Sequence, residues 1–138
     1  IVLGNQLINK GSHESYYDFK RERNDLIKFI NDHKIPGVIF FSGDRHHTEI
    51  NFESHQNYYP IYDITCSALS SPRRLHSKRR ERKKDLSTRV SNSFIVKHNY
   101  GLFKVIDHNG IKTAKIQFLN KYGKTIYSYS VSTKTLGY

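Results

Sequence analysis

The segment VIFFSGDRHHTE, from Val38 to Glu49, joins a short apolar run to a dense group of titratable residues. Its first four residues are β-branched or aromatic, which is typical of a strand that is covered on both faces. A serine and a glycine end the run, and Asp, Arg, two His and Glu follow within six positions. The segment therefore predicts a buried strand with chemically active side chains at its carboxyl end.

The residues before this strand predict a helix over residues 19–33, because apolar residues recur there at helical spacing. Asp18 can cap its first turn, and Pro36 disfavours further helix. Helix, tight loop and buried strand in succession are typical of an α/β sheet. Three basic side chains of the helix are expected to face solvent, those of Arg21, Arg23 and Lys28.

Two further patterns complete the chain. Residues 58–67 predict another strand, in which the tyrosines have one buried face and Cys66 is a small core residue. From Ser93 onward, apolar and polar residues alternate, and turns are indicated at HNG (108–110) and KYG (121–123). This part predicts an antiparallel meander of three or four strands.

The length of 138 residues fits one domain with a modest core. The chain is also basic, with a net charge of +11. A loop is predicted over residues 68–90, and its segment Arg73–Lys84 holds eight Lys and Arg against one Glu. Such a segment can bind nucleic-acid phosphates, steer an anionic substrate, or form a solvated loop. The solvated loop is favoured, because no aromatic residue interrupts the run and no nucleic-acid-binding motif accompanies it.

The group after the strand contains potential metal ligands. Asp44 and His46 are two residues apart, so in an extended segment both side chains point the same way. A carboxylate and an imidazole suit Zn, Fe, Mn or Ni, and a carboxylate also serves Ca. His47 and Glu49 can act as further ligands or can orient a ligand imidazole. A polar loop facing solvent is the alternative for so short a pattern.

Several segments, in the same order along the chain, resemble the C-terminal part of the alkaline phosphatase D-like (PhoD-like) metallophosphoesterases. The segment GVIFFSGDRHHTEI, starting at Gly37, is similar to the strand of that family that ends in SGDxHxxE. The segment RERNDLIKFI (21–30) is similar to the helix pattern of the family, and YPIYDITCSALS (59–70) is similar to its YPLYDLTSSPL segment. The segment NYGLFKVID (99–107) resembles the closing strands of the family, and VLGNQ (2–6) resembles an earlier strand.

The resemblance implies a four-layer αββα sandwich with a two-metal centre at the sheet edge. Asp44 and His46 occupy the place of the family's last metal-binding motif, with Fe, Ca, Zn or Mn as the metal ions. His47 is implied to contact substrate or to support a ligand, and Arg45 to pair with a phosphate oxygen. Glu49 is expected to be structural, bonded to nearby backbone or to a ligand imidazole.

The implied function is hydrolysis of phosphoric esters by a metal-activated hydroxide. The chain has no Met, and the other metal ligands of the family have no counterpart in residues 1–138. The chain is therefore expected to be a single partial domain, whose remaining ligands come from an upstream part of the same chain. We therefore expect these residues alone to bind metal poorly and to hydrolyse nothing. An extracytoplasmic location is implied by the resemblance alone. A non-catalytic module that binds nucleic acid through residues 73–84 is the alternative.

Overall fold

The computed structural model describes residues 1–10, 15–54, 58–71 and 86–137. A 3₁₀ turn leads into the single described helix, and six described strands follow. The elements are the 3₁₀ turn Tyr16–Phe19, α1 Lys20–Asp32, β1 Ile39–Ser42, β2 Thr48–Glu53, β3 Ile61–Cys66, β4 Asn99–His108, β5 Ile111–Asn120 and β6 Thr125–Ser132.

The first sheet has the strand order β1-β3-β2, with β3 parallel to β1 and antiparallel to β2. The amino-terminal residues extend it beyond β1, since the Leu3 N–H donates to the Phe41 carbonyl at 2.8 Å. At the opposite edge, Thr48 of β2 and Ile95 exchange backbone hydrogen bonds of 2.7 and 2.8 Å. The carboxyl ends of the parallel pair therefore lie inside a wider sheet.

The second sheet is an antiparallel meander in the order β4-β5-β6, which confirms the predicted pattern. Asn109 and Gly110 connect β4 to β5 with φ angles of 53° and 78°. Positive φ at both positions of a two-residue connection is the geometry that Asn-Gly favours. Gly123, with a φ of 79°, lies in the predicted turn between β5 and β6.

Two apolar clusters pack on opposite faces of the first sheet. Phe40 projects toward α1 and the amino-terminal segment, where Leu7, Ile8, Ile30 and Ile61 surround it. Its neighbours Ile39 and Phe41 pack on the other cluster, which joins β2 and β3 to β5 and β6 and consists of Ile50, Tyr62, Ile64, Ile116, Phe118, Val131 and Leu136. Strand β1 is thus covered on both faces, as predicted, and the α/β class is confirmed.

Three local expectations are corrected. The residue that precedes α1 is Phe19, which makes no side-chain cap, and the Ser15 hydroxyl instead accepts a hydrogen bond from the Tyr17 N–H in the 3₁₀ turn. Arg23 is buried rather than solvated, because its side chain reaches the Leu7 carbonyl and Glu53. Tyr58 precedes β3 instead of belonging to it.

Part of the predicted basic loop, including all of residues 73–84, lies outside the described residues, so its expected roles stay predictions. Leu86 and the residues after it return toward β2, where the Val90 N–H donates to the Ile50 carbonyl at 2.9 Å. No helix among the described residues has both the length and the apolar character needed to cross a membrane.

Candidate metal site at the end of strand β1

The loop after β1 has an unusual backbone conformation. Gly43 remains tied to the sheet, since its N–H donates to the Gly4 carbonyl at 3.2 Å. Asp44 and His46 then adopt the left-handed region, with φ angles of 57° and 55°. The expectation of an extended segment is therefore wrong. The side chains of Asp44 and His46 are nevertheless both exposed, whereas those of Arg45 and His47 are buried.

Ser67, which follows β3, holds this loop. The Arg45 N–H donates to the Ser67 hydroxyl at 2.9 Å, and that hydroxyl donates to the His47 carbonyl at 3.1 Å. Left-handed residues other than glycine cost roughly 1–2 kcal/mol each, with Asp among the more tolerant. Such a conformation persists only where the surrounding structure enforces it, and it is typical of functional loops.

His46 presents one ring nitrogen to solvent. Its Nδ1–H donates to the Ser71 carbonyl at 2.8 Å, and Nδ1 also lies 3.0 Å from the Ser71 hydroxyl oxygen. A backbone carbonyl on one nitrogen fixes the tautomer in which the other nitrogen carries the lone pair, as is usual for histidine ligands. Nε2 is therefore the atom available to a metal ion, and the donor set of His46 and Asp44 fits one.

The two side chains supply half of the usual number of ligands. Among residues 1–10, 15–54, 58–71 and 86–137, no three His, Cys, Asp or Glu side chains are grouped closely enough to hold a metal ion. A zinc ion in a protein usually has three or four protein ligands. The described residues therefore contain no complete metal site, and the assignment of Asp44 and His46 as ligands stays a prediction.

His47 lies behind the loop, fully buried, and not on its exposed side. Its Nδ1 is 2.8 Å from the Arg45 carbonyl oxygen, and its Nε2 is 3.1 Å from Glu49 Oε1. Both ring nitrogens of His47 therefore face internal partners, and neither is available to a metal ion. The Arg45 side chain is also buried, so the structure does not bring His47 and Arg45 to the exposed side with Asp44 and His46.

Glu49 anchors the buried side of the site. Its Oε1 accepts hydrogen bonds from Gln6 Nε2 at 2.6 Å and Asn9 Nδ2 at 2.9 Å, and its Oε2 accepts from Arg89 Nε at 2.5 Å. Burial alone would raise the pKa of Glu49, but the hydrogen bond and charge of His47, the charge of Arg89 and the hydrogen bond from Gln6 hold it well below its usual range. Glu49 is thus a buried carboxylate that connects β2 to the amino-terminal segment.

Asp63 is a second buried carboxylate, which the sequence analysis did not single out. Its Oδ2 accepts from the backbone N–H groups of Leu7 at 2.7 Å and Ile8 at 3.1 Å, and its Oδ1 accepts from the Ser42 hydroxyl at 2.6 Å. Burial raises the pKa of Asp63 to about 6, against these hydrogen bonds. The sequence signal for this residue was a carboxylate inside the predicted strand IYDITC, whose other residues are mostly apolar.

Cys66 is half-buried, and burial raises the pKa of its thiol. A raised pKa lowers the thiolate fraction at neutral pH, which agrees with the expectation of a packing residue rather than a nucleophile.

Comparison of the chain with protein-family models, with curated proteins and with solved structures gives no match. The resemblance to the PhoD-like metallophosphoesterases therefore stays a prediction that is based on the motifs quoted above.

Proposed function

We propose that this chain supplies the last metal-binding motif of a PhoD-like metallophosphoesterase, with Asp44 and His46 as ligands. The observation that carries the proposal is the exposed imidazole of His46, whose Nδ1–H is fixed by the Ser71 carbonyl at 2.8 Å. This bond directs the free lone pair of Nε2 outward, beside a second exposed ligand on the same loop.

The position of the loop supports the same function. It follows the carboxyl end of β1, which runs parallel to β3, and ligands of α/β proteins bind at such strand ends. One helix and two sheets pack as successive layers in the described residues. In the proposed four-layer αββα sandwich, these are three of the four layers.

Two metal ions, of Fe, Ca, Zn or Mn, would supply a hydroxide nucleophile at ordinary pH and would neutralise phosphoryl oxygens. The residues of this chain position that centre. Ser71 orients the His46 ring, and Ser67 and His47 hold the backbone of Arg45 between the two ligands. The substrate class is a phosphoric ester, and a location outside the cytoplasm remains a prediction from the resemblance.

The test is a Zn²⁺ titration of the chain, followed by NMR of the imidazole nitrogens. His98 is an internal control, because its Nδ1 also lies 2.9 Å from a backbone carbonyl oxygen, that of Leu69, and its side chain is also exposed. We expect the Nε2 resonance of His46 to shift at lower Zn²⁺ than that of His98. Asp44→Asn should weaken binding at His46 by about tenfold or more, because loss of a ligand costs at least as much as loss of a group that orients one.

Equal shifts of His46 and His98, or unchanged binding in Asp44→Asn, would show ordinary surface histidines and would contradict the proposal. The Ser71 carbonyl bond is checked in the same spectra, since the proposed tautomer carries its proton on Nδ1.

A further inference from the structure

Among the described residues, strand β4 is an open edge of the second sheet. Its ten residues pair with β5 on one side, and along Phe103, Val105 and Asp107 no strand of the described residues pairs with the other side. An exposed strand edge carries unpaired N–H and C=O groups, and natural proteins usually shorten or interrupt such edges. This one is about twice the usual strand length and has no bulge in its pairing with β5.

The register decides which backbone groups face outward. His108 and Ile111 flank the two-residue turn, so they form a hydrogen-bonded pair, and hydrogen-bonded pairs then recur at every second residue. Lys104 and Ile106 therefore bond to β5, whereas Phe103, Val105 and Asp107 direct their N–H and C=O groups away from it. Asn99 belongs to the same alternating set as Phe103, Val105 and Asp107, and its N–H also points away from β5, since it donates to the Ala68 carbonyl at 3.2 Å.

The inner face beside this edge is an apolar groove. Phe103 packs edge-on against Phe41 with ring centroids 5.1 Å apart, yet Phe103 and Val105 are 41% and 60% exposed. A cavity of about 380 Å³ adjoins them and is lined by Gly37, Ile39, Phe103, Val105, Gly110, Lys112, Ala114, Val131, Thr133 and Leu136. Alternate side chains of an added strand would enter this groove.

The outer face carries an unbalanced positive charge. Lys104 lies directly opposite Lys115 in the β4–β5 register, and neither forms an ion pair with another described residue. Like charges directly opposite one another destabilise a sheet. A carboxylate on a strand added beside Lys104 would offset that repulsion, whereas a second copy would bring a further net charge of +11.

We propose that the β4 edge binds an extended segment of a partner polypeptide by strand addition. That segment places apolar residues in the groove beside Phe103 and Val105, and an acidic residue on the outer face beside Lys104. Backbone hydrogen bonds give such complexes their affinity, and the alternate side chains give them their specificity.

The test uses two fluorescent peptides of eight residues, one alternating valine with glutamate and the other alternating valine with lysine. We expect the valine–glutamate peptide alone to bind, with slowed hydrogen exchange at the Phe103, Val105 and Asp107 amides. Lys104→Glu should reverse this preference, and it also relieves the repulsion with Lys115, so it should fold. Val105→Pro removes one outward N–H, is tolerated at an open edge, and should weaken binding about tenfold or more.

Four outcomes would overturn the proposal. One is the absence of binding by the valine–glutamate peptide, and another is equal binding of both peptides to the wild-type chain and to Lys104→Glu. The third is a dimer in sedimentation experiments that protects the same amides, which would identify a second copy as the occupant. Binding without protection of the outward amides would also contradict strand addition.

Discussion

At the scale of single residues, the loop after β1 combines exposed ligands with an unfavourable backbone. Asp44 and His46 both have positive φ, and the loop that contains them is held by Ser67, which follows β3. Glycine would adopt the same backbone more easily but has no ligand atom. The presence of Asp and His at these positions therefore favours a role for their side chains over a role in stability.

Substitution of Asp44 separates these two roles. Asp44→Gly and Asp44→Ala remove the same carboxylate, but only glycine relieves the left-handed strain at a φ of 57°. We expect Asp44→Gly to be more stable than Asp44→Ala by about 0.5–1 kcal/mol, after the conformational entropy of glycine is counted. Urea unfolding measures this difference. Zn²⁺ binding at His46 should be weakened equally in both variants, and equal stabilities would show that the loop is not strained.

Asp63 gives the chain a specific dependence of stability on pH. Its pKa is raised to about 6 in the folded chain, above the unfolded value of about 3.9. The folded state therefore binds the proton more tightly than the unfolded state does. The resulting stabilisation of the folded state is fully present below pH 4 and is lost as the pH rises through 6. Glu49 acts in the opposite direction, because its folded pKa lies well below its usual range, and its contribution is complete above about pH 5, where the unfolded carboxylate is also ionised.

The measurement is urea unfolding of the chain and of Asp63→Asn between pH 4 and pH 7. Asparagine keeps an oxygen for the Leu7 and Ile8 N–H groups without a titratable proton. Relative to Asp63→Asn, the wild-type chain should lose about 2–3 kcal/mol of unfolding free energy as the pH rises from 4 to 7. A constant difference between the two proteins would contradict the raised pKa and would show that the three hydrogen bonds outweigh burial.

At the scale of elements, one buried side chain connects α1 to the first sheet. Arg23 Nε donates to the Leu7 carbonyl at 2.7 Å, its Nη2 lies 2.5 Å from Glu53 Oε2, and its guanidinium stacks on Tyr17 at 4.3 Å. Arg23→Ala removes the side-chain donor of the buried Leu7 carbonyl and the buried cation that pairs with Glu53, so we expect a loss of about 2–3 kcal/mol of unfolding free energy.

Arg21 is the matched control for this prediction, because it lies on the same helix and is exposed. Arg21→Ala should change stability by less than about 0.5 kcal/mol. Similar losses in the two variants, measured by thermal or urea unfolding, would mean that both act through helix propensity and not through the contacts of Arg23.

The contrast between these two arginines shows where the sequence is informative. Local patterns predicted the elements themselves, since helical spacing, the apolar run of β1 and the Asn109–Gly110 turn depend on neighbouring residues. The burial of Arg23 depends on the Leu7 carbonyl and on Glu53, which are 16 and 30 positions away. Periodicity within α1 contains no information about those partners.

The candidate site was also predictable only where it depends on neighbouring residues. The two-residue spacing after β1 was enough to select Asp44 and His46, which are both exposed. The left-handed backbone was not predictable, because it depends on Ser67, and the orientation of His46 depends on Ser71, 25 positions later. The buried position of His47 was missed because its partner Glu49 becomes inaccessible only when Gln6, Asn9 and Arg89 pack around it.

At the scale of the whole molecule, the two sheets and the helix carry only two of the ligands that the proposed metal centre needs. The described residues contain no group of three potential ligands, and two ligands from one loop hold a metal ion weakly. We therefore expect residues 1–138 alone, supplied with Zn²⁺, Mn²⁺, Ca²⁺ or Fe³⁺, to hydrolyse p-nitrophenyl phosphate and bis-p-nitrophenyl phosphate no faster than the metal ions do.

The assay needs a variant that keeps the fold and removes the ligand. His46→Ala serves this purpose, because His46 is exposed and its hydrogen bonds are to Ser71 alone among the described residues. Equal rates for the wild-type chain, His46→Ala and the metal blank would agree with a partial site. Hydrolysis by the wild-type chain that His46→Ala abolishes would show instead that residues 1–138 assemble a complete centre, with further ligands from parts of the chain beyond those described.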